Sequence, residues 1–114
     1  MTKYLFLYWG PSAASKTYEP SPEEFQEMFA QWNAWKQKFK DQVTDLGDGL
    51  KPSGKFVRKE GVVTDGPLPE LKEIVTGYSI IQAKSMDEAV KVARECPIYM
   101  MPGATTEIRE LMGY

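Results

Sequence analysis

Tyr4-Leu5-Phe6-Leu7-Tyr8-Trp9 is an unbroken run of bulky apolar and aromatic residues near the start of the chain. In an extended strand, side chains alternate between two faces, so Tyr4, Phe6 and Tyr8 share one side and Leu5, Leu7 and Trp9 the other. A strand that is apolar on both faces has to be covered on both. Helices of the same chain can supply one cover, and the other has to come from elsewhere. Lys3 precedes the run and Ala13-Ala14-Ser15 mimics a cleavage site, but the run is too short and too aromatic for the core of a secretory signal. A strand is the expectation.

Working outward, Gly10 to Pro20 is expected to be a loop, opened by Gly10-Pro11. Ser21-Pro22-Glu23-Glu24 then carries a helix start, with Ser21 as N-cap, Pro22 at the first helical position and Glu24 closing a capping box. Phe25, Met28, Phe29, Trp32, Trp35 and Phe39 follow at helical spacing and make a wide apolar stripe. Glu23, Glu24 and Glu27 lie early and Lys36, Lys38 and Lys40 late, which complements the helix dipole. Gly47 and Gly49 end this region and lead into Leu50-Lys51-Pro52. Lys55 to Glu60 and Gly61 to Thr64 read as a strand pair with a tight turn near Glu60-Gly61. Asp65-Gly66-Pro67-Leu68-Pro69 reads as a turn and loop.

Ile74 to Ala83 is the next expected strand, with Tyr78, Ile80 and Ile81 as its apolar body. Ser85-Met86-Asp87-Glu88 opens a second helix that runs to about Glu95 and buries Met86, Ala89, Val90 and Ala93; Pro97 forbids its continuation. Beyond a loop with Pro102 and Gly103, Thr105 to Met112 closes the series as a strand. It sets Ile108 on one face and Leu111 on the other, with Glu107 and Arg109 together.

The order β-α-β-β-α-β is the ferredoxin-like arrangement, an α+β fold with an antiparallel sheet and both helices on one side. Its other side would leave one bulky row of the first strand bare. An apolar patch of that size is uncommon on a soluble monomer, so a homodimer with its sheets face to face is expected.

Composition bounds the rest. A chain of 114 residues supports one domain with one core, here residues 1–114, and 42% apolar with 26% charged residues is ordinary globular usage. Fourteen basic against sixteen acidic residues give −2, and Lys36, Lys38 and Lys40 are the only basic grouping, so no nucleic-acid partner is expected. Nothing approaches the run of about eighteen apolar residues that a membrane span needs. Cys96, the only cysteine, can form no intramolecular disulfide and reads as a small buried hydrophobe beside Pro97; a cytoplasmic setting follows. With no histidine, one cysteine and no carboxylates at ligand spacing, no metal site is expected. Gly47-Asp48-Gly49 lacks the rest of any nucleotide fingerprint, so no cofactor is expected either.

Several stretches together resemble the YCII-related family, whose larger branch is named for a DGPF signature. They are Lys3-Tyr4-Leu5-Phe6-Leu7, Ser21-Pro22-Glu23-Glu24, Gly49-Leu50-Lys51-Pro52, Val63-Thr64-Asp65-Gly66-Pro67 with Glu70, Lys72 and Glu73, Gly77-Tyr78, Ser85-Met86-Asp87-Glu88-Ala89, and Glu107-Ile108-Arg109. The resemblance implies a dimeric α+β barrel, in keeping with the packing argument. It implies little about function: some relatives look like lyases or dehalogenating enzymes acting on small ring-derived acids, and some accompany alternative sigma factors. Leu68 stands where the signature has Phe. In part of the family a histidine paired with the signature aspartate is the proposed acid/base, and that pair cannot exist in a chain without histidine.

Asp65 is the candidate catalytic residue, as a general base or a substrate anchor whose pKa burial would raise; the alternative is a carboxylate tied to the amides of its own turn. Arg109 is a candidate for gripping a ligand carboxylate, or else half of an ion pair with Glu107 on the sheet. Lys72 and Glu70 either close over a ligand or are solvated loop charges. Tyr4, Tyr8, Trp9, Trp32, Trp35 and Tyr78 either wall a ligand cavity or fill core and interface, and Tyr8 and Tyr78 also offer phenols to a ligand. Two functions remain open. One is a non-catalytic dimeric module that binds a small-molecule ligand or a regulatory protein. The other is a cofactor-free lyase or isomerase acting on a small ring-derived acid, with Asp65 as acid/base.

Overall fold

The computed structural model describes residues 1–11, 20–61, 63–66 and 72–114. Among these, a four-stranded antiparallel sheet carries two helices. Its strands are β1 (Thr2–Pro11), β2 (Val43–Gly49), β5 (Glu73–Ala83) and β6 (Thr105–Glu110), in the order β2-β5-β1-β6. The helices are α1 (Pro22–Lys38) and α2 (Met86–Arg94), followed by a 3-10 turn over Pro97–Met100. β3 (Gly54–Val57) and β4 (Val63–Gly66) pair with each other as a separate two-stranded sheet. Sheet order and helix placement are those of the ferredoxin-like α+β fold.

β1 behaves as its alternation requires. Tyr4, Phe6 and Tyr8 are buried, while Leu5, Leu7 and Trp9 are only half-buried. The register sets Tyr8 opposite Gly77, Phe6 opposite Ser79 and Tyr4 opposite Ile81 on the helix-covered face. Leu7 stands opposite Tyr78 and Leu5 opposite Ile80 on the uncovered face. The core closes with Trp35, Val43, Ala83, Ala89, Val92, Ala93 and Cys96. Burying each large apolar side chain there contributes about 1.5–3 kcal/mol. The molecule measures 42 × 41 × 18 Å, the thin dimension being one sheet and one helix layer.

Both helix starts follow their sequences. The Ser21 side chain accepts from the Glu24 amide while the Glu24 carboxylate accepts from the Ser21 amide, a complete capping box. At α2 the Ser85 hydroxyl accepts from the Glu88 amide. The two buried stripes differ from expectation. On α1 Trp35 is buried and Trp32 and Phe39 are partly so, but Phe25 and Phe29 stay exposed, because the first turns of α1 extend past the core. On α2 the buried set is Ala89, Val92 and Ala93; Met86, at the first helical position, lies exposed and Val90 is half-buried.

The larger correction concerns the second strand of the sheet. It is β2, not the 55–64 hairpin, and it occupies a stretch that the sequence presents as the end of a helical region. Asp45, Gly47, Asp48 and Gly49 have poor strand propensity, yet hydrogen bonding to the edge of β5 holds them extended, with register shifts on either side of Asp45. The hairpin turns where expected, with the Gly61 amide donating to the Arg58 carbonyl at 3.0 Å. Asp65 and Gly66 belong to strand β4 rather than to a turn, and Gly10 and Pro11 extend β1 rather than opening a loop. β6 ends at Glu110, short of Met112. The remainder of the first loop and the segment carrying Pro67, Leu68, Pro69 and Glu70 lie outside the described residues.

Among the described residues no helix is long and apolar enough to cross a membrane.

Candidate functional site

The sheet, α1 and the 3-10 turn enclose a cavity of about 300 Å³. Tyr8 from β1, Phe29 and Trp32 from α1, and Ile98 and Met101 from the 3-10 turn and its end supply its apolar wall. Gly47, Asp48 and Gly49 of β2 and Gly77 of β5 supply its opposite edge. Gly47 and Gly77 are there for close approach: a Cβ on Gly77 would stand 2.9 Å from the Asp48 carbonyl oxygen. Absent side chains at these positions let two strands meet and leave room above them. Trp32 and Tyr8 pack edge to face, 5.5 Å apart at 70°.

Tyr8 shows its ring to this cavity and spends its hydroxyl inward. The phenol donates to Ser79 Oγ at 2.8 Å, and Ser79 Oγ donates to the Leu46 carbonyl at 2.6 Å. The Cys96 thiol in turn donates to the Tyr8 hydroxyl at 3.6 Å. The chain thus runs Cys96 to Tyr8 to Ser79 to Leu46 and reaches the strand that edges the cavity. Burial pushes the Tyr8 phenol far above its ordinary range, with the nearby Cys96 adding to the shift. Burial likewise pushes the Cys96 thiol up to about 11, so it stays protonated and unreactive at neutral pH. Cys96 is the small buried hydrophobe that its place beside Pro97 suggests.

The other candidates lie apart from Tyr8. Tyr78 borders the same cavity, but alternation from the inward-facing Ser79 sends its ring to the uncovered face of the sheet. Arg109 lies on that face too, opposite Leu5, and donates to Glu107 Oε2 at 3.3 Å. Glu107 also accepts from the Trp9 indole at 2.9 Å. Lys72 is exposed next to the start of β5. Asp65 sits on the hairpin opposite Lys55, whose ammonium donates to its Oδ1 at 2.6 Å, and the Asp65 side chain is 89% exposed. Its carboxylate is therefore engaged across the hairpin, and its surroundings supply no desolvation. Two of the five candidates, Tyr8 and Tyr78, line the cavity; Asp65, Lys72 and Arg109 do not.

Ile98, Met101 and the Gly47-Asp48-Gly49 edge were absent from the candidate residues. A signal for the first two exists in the apolar run Ile98-Tyr99-Met100-Met101, which sits in an apparent loop directly after a helix-stopping proline. Gly47-Asp48-Gly49 has the composition of a turn, and only the pairing with β5 brings it to the site. Among the described residues, no three His, Cys, Asp or Glu side chains come together as a metal site.

Comparison with known proteins adds a family and stops there. No curated protein matches the chain. The family model of the YCII-related domain matches residues 12–112, nearly the whole chain, in agreement with the motifs and with the α+β fold. The chain belongs to the YCII-related domain family.

Proposed function

We propose that this chain is a non-catalytic binding module, a cytoplasmic homodimer joined through the uncovered sheet face, that holds a small ligand against Tyr8 and Trp32. One observation carries the reading: the cavity of about 300 Å³ is walled by aromatic and aliphatic side chains, and among the described residues lining it there is no nucleophile with a paired base. Its size is at the lower end of small-molecule pockets, and apolar walls with few polar groups are what such pockets need. The dimer part rests on Leu5, Leu7, Trp9, Val75, Tyr78 and Ile80, which share a sheet face that neither α1 nor α2 covers.

The enzyme reading has less support. A general base needs a proton affinity tuned by its surroundings and a substrate within reach. Asp65 is solvent-exposed, paired with Lys55, and outside the cavity.

The test is a screen of ring-bearing fragments read by thermal shift, repeated on Trp32→Ala and Asp65→Asn. Ligands that stabilise the native protein are expected to lose their effect in Trp32→Ala and keep it in Asp65→Asn. Turnover of a bound compound that Asp65→Asn abolishes would overturn the binding reading in favour of catalysis.

A further inference from the structure

The uncovered sheet face does not stop where β6 stops. Past Glu110 the Leu111 amide donates to the Lys3 carbonyl at 2.9 Å, so the chain stays beside β1 for one more residue. Leu111 lies two residues on from Arg109, which sets its side chain on the same face as Leu5. Gly113, with φ +79°, then bends the backbone into a region that other residues resist. An open hollow of about 500 Å³ lies between Leu5, Leu7 and Arg109 on the sheet and residues 111–114 beside it. Met112 and Tyr114 border it at 86% and 105% exposure. Side chains held so far from their own chain enlarge the apolar surface of the face instead of covering it.

Two features point to a second copy of the chain as the occupant. The first is size. Strands about 4.8 Å apart and about seven residues long make four strands outline on the order of 450 Å², against about 800 Å² that each partner of a stable complex buries. The flat of the sheet leaves room for a further contributor, and a buried Tyr alone brings about 150–250 Å². The second is charge. Glu107 and Arg109 share the face with Leu7 and Leu5, and Glu107 accepts from both the Trp9 indole and Arg109. Adjacent charges of both signs suit an isologous contact, in which a two-fold axis sets the acid of one copy near the base of the other.

We infer that residues 111–114 form an arm of the dimer. Met112 and Tyr114 of one copy pack on the sheet face of the second, and the second copy returns the contact. The inference rests on the dimer proposed above and adds the segment that clasps it.

Sedimentation equilibrium from nanomolar to micromolar concentration compares the parent protein with the double variant Met112→Ser, Tyr114→Ser. Both side chains are exposed within one copy, so the variant should keep the parent's far-UV circular dichroism. The expected result is a dimeric parent and a dissociation constant raised about tenfold or more in the variant, since a two-fold interface loses each side chain twice. In a mixture of methyl-labelled and unlabelled copies, isotope-filtered NMR should connect the Tyr114 ring of one copy to the Leu5 or Leu7 methyls of the other. A dimeric parent whose affinity ignores the double substitution, or which lacks those cross-peaks, would overturn the arm and leave the sheet-to-sheet dimer standing. A parent that stays monomeric at micromolar concentration would remove both.

Discussion

Gly47 is the position where the site and the fold meet, and replacing it tests both. Its φ is +77°, and a Cβ built there would lie 1.8 Å from the Tyr78 carbonyl oxygen and 2.7 Å from the Tyr78 carbonyl carbon. Both neighbours are backbone, so relief has to come from moving β2 away from β5. An L-residue in the left-handed region costs about 1–2 kcal/mol, and forcing extra atoms into a close contact costs about 1–3 kcal/mol. Gly47→Ala should therefore lose roughly 2–5 kcal/mol, a large share of the 5–15 kcal/mol typical of a native domain. In melting temperature that is on the order of 10–20 °C. Two controls separate the contributions. Gly103 has φ +80° but its added Cβ would meet only Pro11 Cγ at 3.7 Å, an ordinary contact, so Gly103→Ala should show the backbone cost alone, about 1–2 kcal/mol. Gly49 has neither problem, its Cβ meeting only the Thr76 carbonyl oxygen at 3.7 Å, and Gly49→Ala should stay within about 0.5 kcal/mol of the parent protein. Urea unfolding of the three variants measures the differences. If Gly47→Ala falls within about 0.5 kcal/mol of Gly103→Ala, β2 does not press on β5 as described, and the glycine edge of the cavity loses its physical basis.

Tyr8→Phe keeps the ring and removes the hydroxyl that joins Cys96 to Ser79; it should cost about 1–2 kcal/mol in urea unfolding and leave binding of an apolar ligand intact. The alkaline limb of the stability curve carries a second mark of that chain. The Cys96 thiol titrates at about 11 when folded against an ordinary 9.0, so the unfolded state gives up its proton first. Stability from this group is thus complete below pH 9 and is lost as pH rises through 11, on the order of 3 kcal/mol in all. Cys96→Ala should flatten that decline measurably, leaving the part that Tyr8, shifted in the same direction, contributes at higher pH. Asp65→Asn breaks an exposed ion pair with Lys55 and should change stability by less than about 1 kcal/mol. Leu7→Glu puts a charge on the uncovered sheet face and should convert a dimer to a folded monomer in sedimentation at micromolar concentration. A parent protein sedimenting only as a 13.0 kDa species would refute the dimer outright.

The elements whose local chemistry and tertiary role agree are the ones legible in the sequence. β1 announces itself by alternation, α1 and α2 by Ser-headed caps, and β5 by Tyr78-Ser79-Ile80-Ile81. β2 is hidden because its residues prefer turns, and the bonds that make it a strand come from β5, some thirty residues further on, as with Thr44 Oγ1 donating to the Ile80 carbonyl at 3.0 Å. The hairpin strands had better local signals, so the sequence credits them with a place in the main sheet that β2 occupies. Propensity describes the fit of a residue to a pleated surface, and at an edge the surface is supplied by the neighbour.

The same reasoning explains why the candidate site was only half legible. Tyr8 and Trp32 are visible because aromatic residues at strand and helix spacing have to face something, and the cavity lies where they face each other. What closes the cavity is a glycine edge and a 3-10 turn, whose contribution depends on backbone approach and not on side-chain type. Asp65 drew attention through its Asp-Gly-Pro context, yet a carboxylate gains chemical power from its environment, and the hairpin gives it water and Lys55. Asp48, in a stretch of ordinary turn composition, borders the cavity while its Oδ1 accepts from the Gly49 amide, and its pairing with Tyr78 sets its side chain toward the uncovered face. The β2 edge is the clearest case: a Gly-Asp-Gly of turn composition becomes the rim of a pocket only once β5 has drawn it into the sheet.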